Sequence, residues 1–377
     1  MKMMNQNRMT ILENRHQHIL EKVASIFFDK ASEYKDKKSY EKALENYEIV
    51  ITRYQSCTYE SIELYVIRSY LQKGLIYSDL KKHQSAIDTY NEMIERCYER
   101  SNEKLDLYYA IALYNKSRSL HRLKKYDKEL FYCDLLINTF ESSKRNELLY
   151  RVARALYSKA YTLLMRKEYL LSMETYTKLI KRFNDFPNEQ IELKVLEAIY
   201  SKGFILSIHL QQDEKAIELF NYMIDHYKDT QDNDMEVQVV YALGGKASSL
   251  ITLGRYNQAL KLCSESIDMI EKKHNLEDQK IRMLLANFML NQAAALSHLD
   301  QDNKAVEIYT KLYDRFHNDD NQEIQETVAK SIFSKGLLLA KKNDDELMVG
   351  KYSRVIKEAA ENKQGIIQTI IGGESYS

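Results

Sequence analysis

Apolar residues recur along this chain at helical spacing, and the helices they mark recur in turn. In "AIYSKGFILS" (198–207), Ile199, Gly203 and Leu206 stand four before, at, and three after a small residue. Residues so spaced share one helical face. "SIFSKGLLLA" (331–340) repeats the pattern with Ile332, Gly336 and Leu339. Aligning the chain on the small residue gives eight anchors: Ala31, Gly74, Ser117, Ala160, Gly203, Ala247, Ala293 and Gly336. Successive anchors lie 43 residues apart, except 44 from Gly203 and 46 from Ala247. A fixed period of this size signals a solenoid.

A second amphipathic segment follows each anchor. Twelve residues on stand Ala43, Ala86, Glu129, Ser172, Ala259 and Ala305, with Ala216 displaced by one in the fifth unit. Sixteen on stand Tyr47, Tyr90, Cys133, Tyr176, Cys263, Tyr309 and Tyr352, with Phe220 displaced likewise. Short polar turns such as "LKKHQSA" (80–86) separate the segments, so each unit is predicted to be a helical hairpin. One hairpin cannot bury its apolar face alone; stacked hairpins can.

Composition agrees. The chain has 377 residues, one proline (Pro187) and ten glycines, so little interrupts helices. No strand-like alternation is present, and the fold class is all-α. Lys+Arg and Asp+Glu are both 55, which argues against nucleic acid or an anionic membrane as partner. The four cysteines form no C-x-x-C pair, and a reducing cytoplasm is the expected location. The N-terminus has no signal-peptide core. The longest uncharged run, 283–299, is broken by Asn287, Asn291, Gln292 and His298 and reads as a buried helix rather than a membrane span.

"LGRYNQALKLCSESI" and "LQQDEKAIELFNYMI" resemble the second half of the tetratricopeptide repeat, with "NKS", "SKG" and "GKA" at that family's small first-helix position. The resemblance implies an α-solenoid, a right-handed superhelix of about eight such hairpins. The expected organisation is a flexible N-terminal segment (1–15), the solenoid (16–362) and a tail (363–377), apolar and then flexible. The family's unit is about 34 residues, so each unit here is longer, the extra length falling in connectors such as 182–198 and extending the flanking helices. The family's proline after the second helix is absent. The eighth unit departs further, with Met348 and Gly350 in its second helix, and reads as a terminal cap.

Lys30, Lys73, Lys116, Lys159, Lys202, Lys246 and Lys335 directly precede the anchor; Gln292 takes the place in the seventh unit. Only Lys30 has an acid (Glu33) within helical pairing distance. The lysines either snorkel at the hairpin edge or form a cationic ladder for a partner's carboxylates.

In the resembled family the first helices line a concave groove that accepts extended or helical peptides. The residue three before each anchor should face it: Phe28, Leu71, Tyr114, Tyr157, Tyr200, Gly244, Leu290 and Phe333. Units three to five concentrate aromatic and polar candidates there. The partner-binding set is Tyr114, Asn115, Lys116, Arg118, Arg154, Tyr157, Ser158, Lys159, Tyr161, Tyr200, Ser201, Lys202 and Phe204. Tyrosine and arginine are favoured interface anchors, and tyrosine equally serves as packing in a chain with 29 of them.

Catalytic signals are poor. "LGGKASSL" (243–250) lacks the earlier glycine, the Ser/Thr and the preceding strand of a phosphate loop. His16 and His18 diverge on a helix, and no metal or cofactor is expected. Cys133 and Cys263 fill aromatic places and read as core thiols, whereas His121 and His298 read as solvated groove histidines. Ile366, Ile367, Ile370 and Ile371 would form an apolar stripe that covers the last hairpin or docks a second copy or another protein. The expected function is non-catalytic: a bacterial, cytoplasmic scaffold or adaptor holding a protein or peptide segment in its groove. The alternative is a peptide-gated regulator whose superhelix changes pitch on binding.

Overall fold

In the computed structural model, the structure describes the backbone of residues 2–99, 103–273 and 276–342, with side chains from 15 onward. The eighth unit's second helix and the isoleucine tail lie outside the described residues. The chain divides into two compact units, residues 1–191 and 192–377.

Unit 1 holds α1 (Lys2–Asp36), α2 (Tyr40–Tyr54), α3 (Glu60–Asp79), α4 (His83–Glu99), α5 (Glu103–Arg122), α6 (Tyr126–Phe140), α7 (Asn146–Met165) and α8 (Tyr169–Phe183). The division falls in the first turn of α9 (Glu189–Phe204), just after Pro187. Unit 2 continues through a π-helical turn (Ile205–His209), α10 (Asp213–Tyr227), α11 (Asn233–Thr252), α12 (Tyr256–Lys273), α13 (Gln279–His298), α14 (Asp302–Phe316) and α15 (Gln322–Lys342). Among the described residues there is no strand. Odd-numbered helices carry the anchors, and each even-numbered helix packs back on the one before it.

The extra length of the unit goes mainly into the helices. First helices such as α3, α5, α7, α11 and α13 run 20 residues, and in the connector 182–198 the flanking helices extend to leave only residues 184–188 between them. α1 likewise starts at Lys2, across the stretch expected to be flexible.

Among the described residues, the hairpin turns are built alike. Three residues link the helices, and the middle one takes a left-handed backbone: Lys38, Lys81, Lys124, Lys167, Gln211, Gly254 and Asp300, with φ from 54° to 71°. The amide closing the turn reaches back to the carbonyl three beyond the anchor, as in Ser39 to Tyr34 and Lys125 to Leu120. That pair of features is the Schellman closure of a helix C-terminus. In the fifth unit the same carbonyl, on Leu206, is reached by Gln212, one residue later than elsewhere. The inserted residue is absorbed by the π turn, where Leu210 N–H donates to Ile205 O. The second helix therefore re-enters the array in register, which accounts for the displaced Ala216 and Phe220.

The core lies between hairpins. Tyr47, Tyr90, Tyr176 and Phe220 of the second helices are almost wholly buried, and the anchors sit beneath them. At Gly203 the fit allows no side chain: a Cβ there would stand 2.7 Å from Phe220 Cε1. Cys97, Cys133 and Cys263 are buried, which pushes each thiol up to about 12.

Lys73 and Lys159, each directly before an anchor, are tied to the preceding hairpin. Lys73 Nζ meets Glu48 Oε2 at 2.6 Å, and Lys159 Nζ meets Asp134 Oδ1 at 2.6 Å. Gln292 repeats the link through Ser264 Oγ at 3.0 Å. Glu48, Asp134 and Ser264 each follow the second-helix core residue, so the sequence period brings donor and acceptor together. Lys116, only 7% exposed, lies with its ammonium 3.6 Å from the centre of the Tyr132 ring.

Candidate ligand cavity on the first helices of unit 2

A cavity of about 370 Å³ opens among four successive first helices of unit 2. This is within the size range of small-ligand sites, about 300–1,000 Å³. Its walls come from α9 (Tyr200, Phe204), the π turn (Ser207, Ile208), α11 (Tyr241, Gly244, Gly245, Ser248), α13 (Asn287, Leu290, Asn291) and α15 (Glu323, Thr327, Lys330), with Phe220 of α10 behind.

The volume has a simple origin. Three residues before the anchor, other units carry Phe, Leu or Tyr; α11 carries Gly244. A Cβ on Gly244 would come no nearer than 3.7 Å to Phe288, so the place of the missing side chain is open. Its neighbour Gly245 serves packing instead, since the Phe220 ring rests against it.

The polar lining is partly satisfied from within. Ser207 Oγ donates to the buried Asp213 carboxylate and lies 2.9 Å from Ser249 Oγ. Thr327 Oγ1 donates to Asn287 Oδ1 at 3.1 Å, and Asn291 Nδ2 donates to Ser248 Oγ at 3.4 Å. The Asn287 amide N–H groups and the Asn291 carbonyl remain without a partner among the described residues. One donor and one acceptor on adjacent turns match the complement of a peptide group.

The charged end lies on α15. Lys330 makes no ion pair among the described residues, and burial lowers its ammonium to about 8. Burial first, and Glu326 second, raise the Glu323 carboxyl. Glu326 is 6% exposed, and its Oε2 has no hydrogen-bond partner among the described residues. Burial also pushes the Tyr241 phenol up to about 12.

Of the residues expected to bind a partner, the structure brings Tyr200 and Phe204 into this cavity. The Tyr200 ring lies 5.4 Å from that of Tyr241. Ser201 Oγ donates to Glu197 O, and Lys202 is half-buried. In unit 1, Arg154 stacks on Tyr114 with its guanidinium carbon 4.2 Å from the ring centre. Tyr157 packs edge-on to Tyr176, Tyr161 lies 5.9 Å from the His121 ring, Asn115 is half-buried, Ser158 is buried and Arg118 is exposed.

His298 is exposed, as expected, whereas His121 is half-buried and engaged by its neighbours. His121 Nδ1 lies 2.8 Å from Glu129 Oε2, and Thr162 Oγ1 donates to Glu129 Oε1 at 2.8 Å. Glu129 and Thr162 are almost completely buried, so this trio fastens α5, α6 and α7. His298 stacks on Tyr256 at 4.4 Å and 5°. Among the described residues, no three His, Cys, Asp or Glu side chains are grouped to hold a metal, and no helix is long and apolar enough to cross a bilayer.

Most of the lining follows an offset used in sequence only for Arg154, which stands six residues before the anchor, one turn before Tyr157. The same offset in units six to eight gives Tyr241, Asn287 and Lys330, all of which line the cavity.

Comparison with known proteins agrees with this architecture. Residues 67–99 match the family model for the tetratricopeptide repeat. The apo form of RapI has a similar fold, with a TM-score of 0.63 at 14% identity over 93% of this chain and 95% of that one. So does the apo form of the quorum sensor NprR from B. thuringiensis, with a TM-score of 0.52 at 12% identity over 90% of this chain and 93% of that one. No curated protein matches the sequence. The fold is thus an all-α array of tetratricopeptide type.

Proposed function

We propose that this protein is a non-catalytic binding protein that holds a peptide segment, free or part of a larger protein, against its first helices. The unit 2 cavity carries the proposal: four successive first helices line it, with aromatic walls, two asparagines presenting an unused donor and acceptor, and a charged end. A peptide offers apolar side chains, amide groups and charges in that combination.

The test exploits Gly244. A Cβ there meets only the Phe288 ring, at an ordinary contact distance of 3.7 Å, so a leucine would extend into the cavity, and leucine favours a helix over glycine. Peptides selected from a random short-peptide library by the wild-type protein are expected to lose at least about tenfold in affinity for Gly244→Leu, a loss of about 1.4 kcal/mol. Equal affinity in a folded variant would reject the cavity as the site.

A ligand-gated regulator is the second reading, favoured by the π turn, which supplies Ser207 and Ile208 to the wall. π-Helical turns are rare and often lie at functional sites. A selected peptide would then change hydrogen exchange at residues 205–212. Unchanged exchange there under saturating peptide would leave a passive scaffold. The fold itself is one that also serves a quorum sensor, NprR.

A further inference from the structure

Arg151 and Arg154 stand one turn apart on α7, on the same side of the helix. Both are half-buried. The guanidinium carbons of Arg151 and Arg154 lie 5.4 Å and 5.5 Å from the Tyr150 ring centre, and Arg154 also stacks on Tyr114. Arg151 Nε is buried without a hydrogen-bond partner among the described residues. Neither guanidinium has a carboxylate within salt-bridge distance among the described residues.

Other arginines of unit 1 are placed differently. Arg96 forks onto Glu63, Arg166 meets Asp127 and Glu168, and Arg145 lies 3.8 Å from Asp106. Arg68 provides an internal comparison. It stacks on Phe28 as Arg154 stacks on Tyr114, one repeat pair earlier, but it is exposed and has no second arginine beside it. Two like charges held close and partly out of water are unfavourable unless an anion joins them. Burial, and then Arg154, lower the Arg151 guanidinium from its ordinary value. Tyrosine rings lie against both guanidinium groups, and a guanidinium grips oxyanions through its N–H groups in fork geometry.

We propose that Arg151 and Arg154 form a binding site for an oxyanion, a carboxylate or phosphoryl group on an acidic peptide. The site lies wholly within unit 1 and is independent of the unit 2 cavity. A tyrosine-walled pair of guanidiniums suits a delocalised anion better than chloride, which cannot accept two parallel bonds from a fork.

The probes are inorganic phosphate and acetate, titrated at constant ionic strength against chloride. Phosphate stabilises most proteins by exclusion from their surfaces, so the readout is the difference between wild type and variants. Wild type is expected to gain melting temperature saturably with at least one probe. Arg151→Gln and Arg154→Gln should each weaken the apparent affinity by about tenfold, the loss of one charge-assisted bond. In chloride alone each should melt no lower than wild type, because a repulsion has been removed. A stronger response to phosphate assigns the site to phosphoryl groups; an equal or stronger response to acetate assigns it to carboxylates. Equal responses in all three proteins, or none in wild type, would overturn the proposal. Should the variants fail to fold, the Arg151 Nε–H resonance of the wild-type protein decides: it must shift on titration, and a resonance that stays in place refutes the site.

Discussion

The Phe220 ring lies so close to Gly245 that a methyl group added there would stand 2.6 Å from its Cζ. Gly203 presses on the same ring from α9, and Phe220 is 1% exposed, so the ring cannot swing aside. Gly245→Ala should therefore destabilise unit 2, although alanine favours helices. Overpacking costs about 1–3 kcal/mol and helix propensity returns about 1 kcal/mol, leaving a net loss of about 1 kcal/mol in urea unfolding. Adding Phe220→Leu should recover part of that loss, because the two sites are in contact. A neutral Gly245→Ala would show that the ring has room.

The hairpin turns give a pair of opposite signs. Lys124 has φ of 56°, a strained value for a side-chain-bearing residue, whereas Gly254 holds φ of 71° at the equivalent place. Lys124→Gly should stabilise and Gly254→Ala should destabilise, each by about 1 kcal/mol. Melting temperatures of the two variants moving in the same direction would contradict the shared turn geometry.

Lys330 makes stability depend on pH. Its folded value near 8 is below the ordinary lysine value of 10.5. The unfolded chain therefore binds more protons between those values, and this group's contribution to stability rises with pH across that interval. Below pH 8 the buried charge is carried in full. Lys330→Met should stabilise the protein at pH 7, and its advantage should shrink by pH 10. A pH-independent difference between variant and wild type would mean that the ammonium is not desolvated.

Glu129 sits where the other units, the eighth excepted, place alanine or serine, and His121 and Thr162 hold it. Removing His121 strands a buried carboxylate, so His121→Leu should cost about 3 kcal/mol. Restoring the repeat's usual residue with Glu129→Ala in that background should recover most of it. Denaturation of the single and double variants measures the coupling; additive losses would indicate that the two residues do not act on each other.

The hairpins were legible in the sequence because the anchor and the large second-helix residue recur at fixed offsets. Where the period slipped at Ala216, the sequence showed a displacement, and the π turn supplies its physical form. The lysines were harder. Their partners, Glu48 and Asp134, are 25 residues upstream, beyond any pairing rule for a single helix, and only the packing of one hairpin on the next unites them. The cavity was hidden for the converse reason. Its volume comes from a side chain that Gly244 lacks, and its charged end from Glu323 and Lys330 on α15, which lie outside the groove position that Phe333 holds there. His121 was misplaced because Glu129, eight residues on, is brought beside it only by the hairpin turn.

A tandem array of equivalent hairpins has a problem of address: a ligand sliding along it meets the same rung again and again. The extra residue at 205–209 ends that degeneracy. It makes one rung unlike its neighbours while preserving the register of the rest, so the chain acquires a landmark without sacrificing the stacking that holds it together.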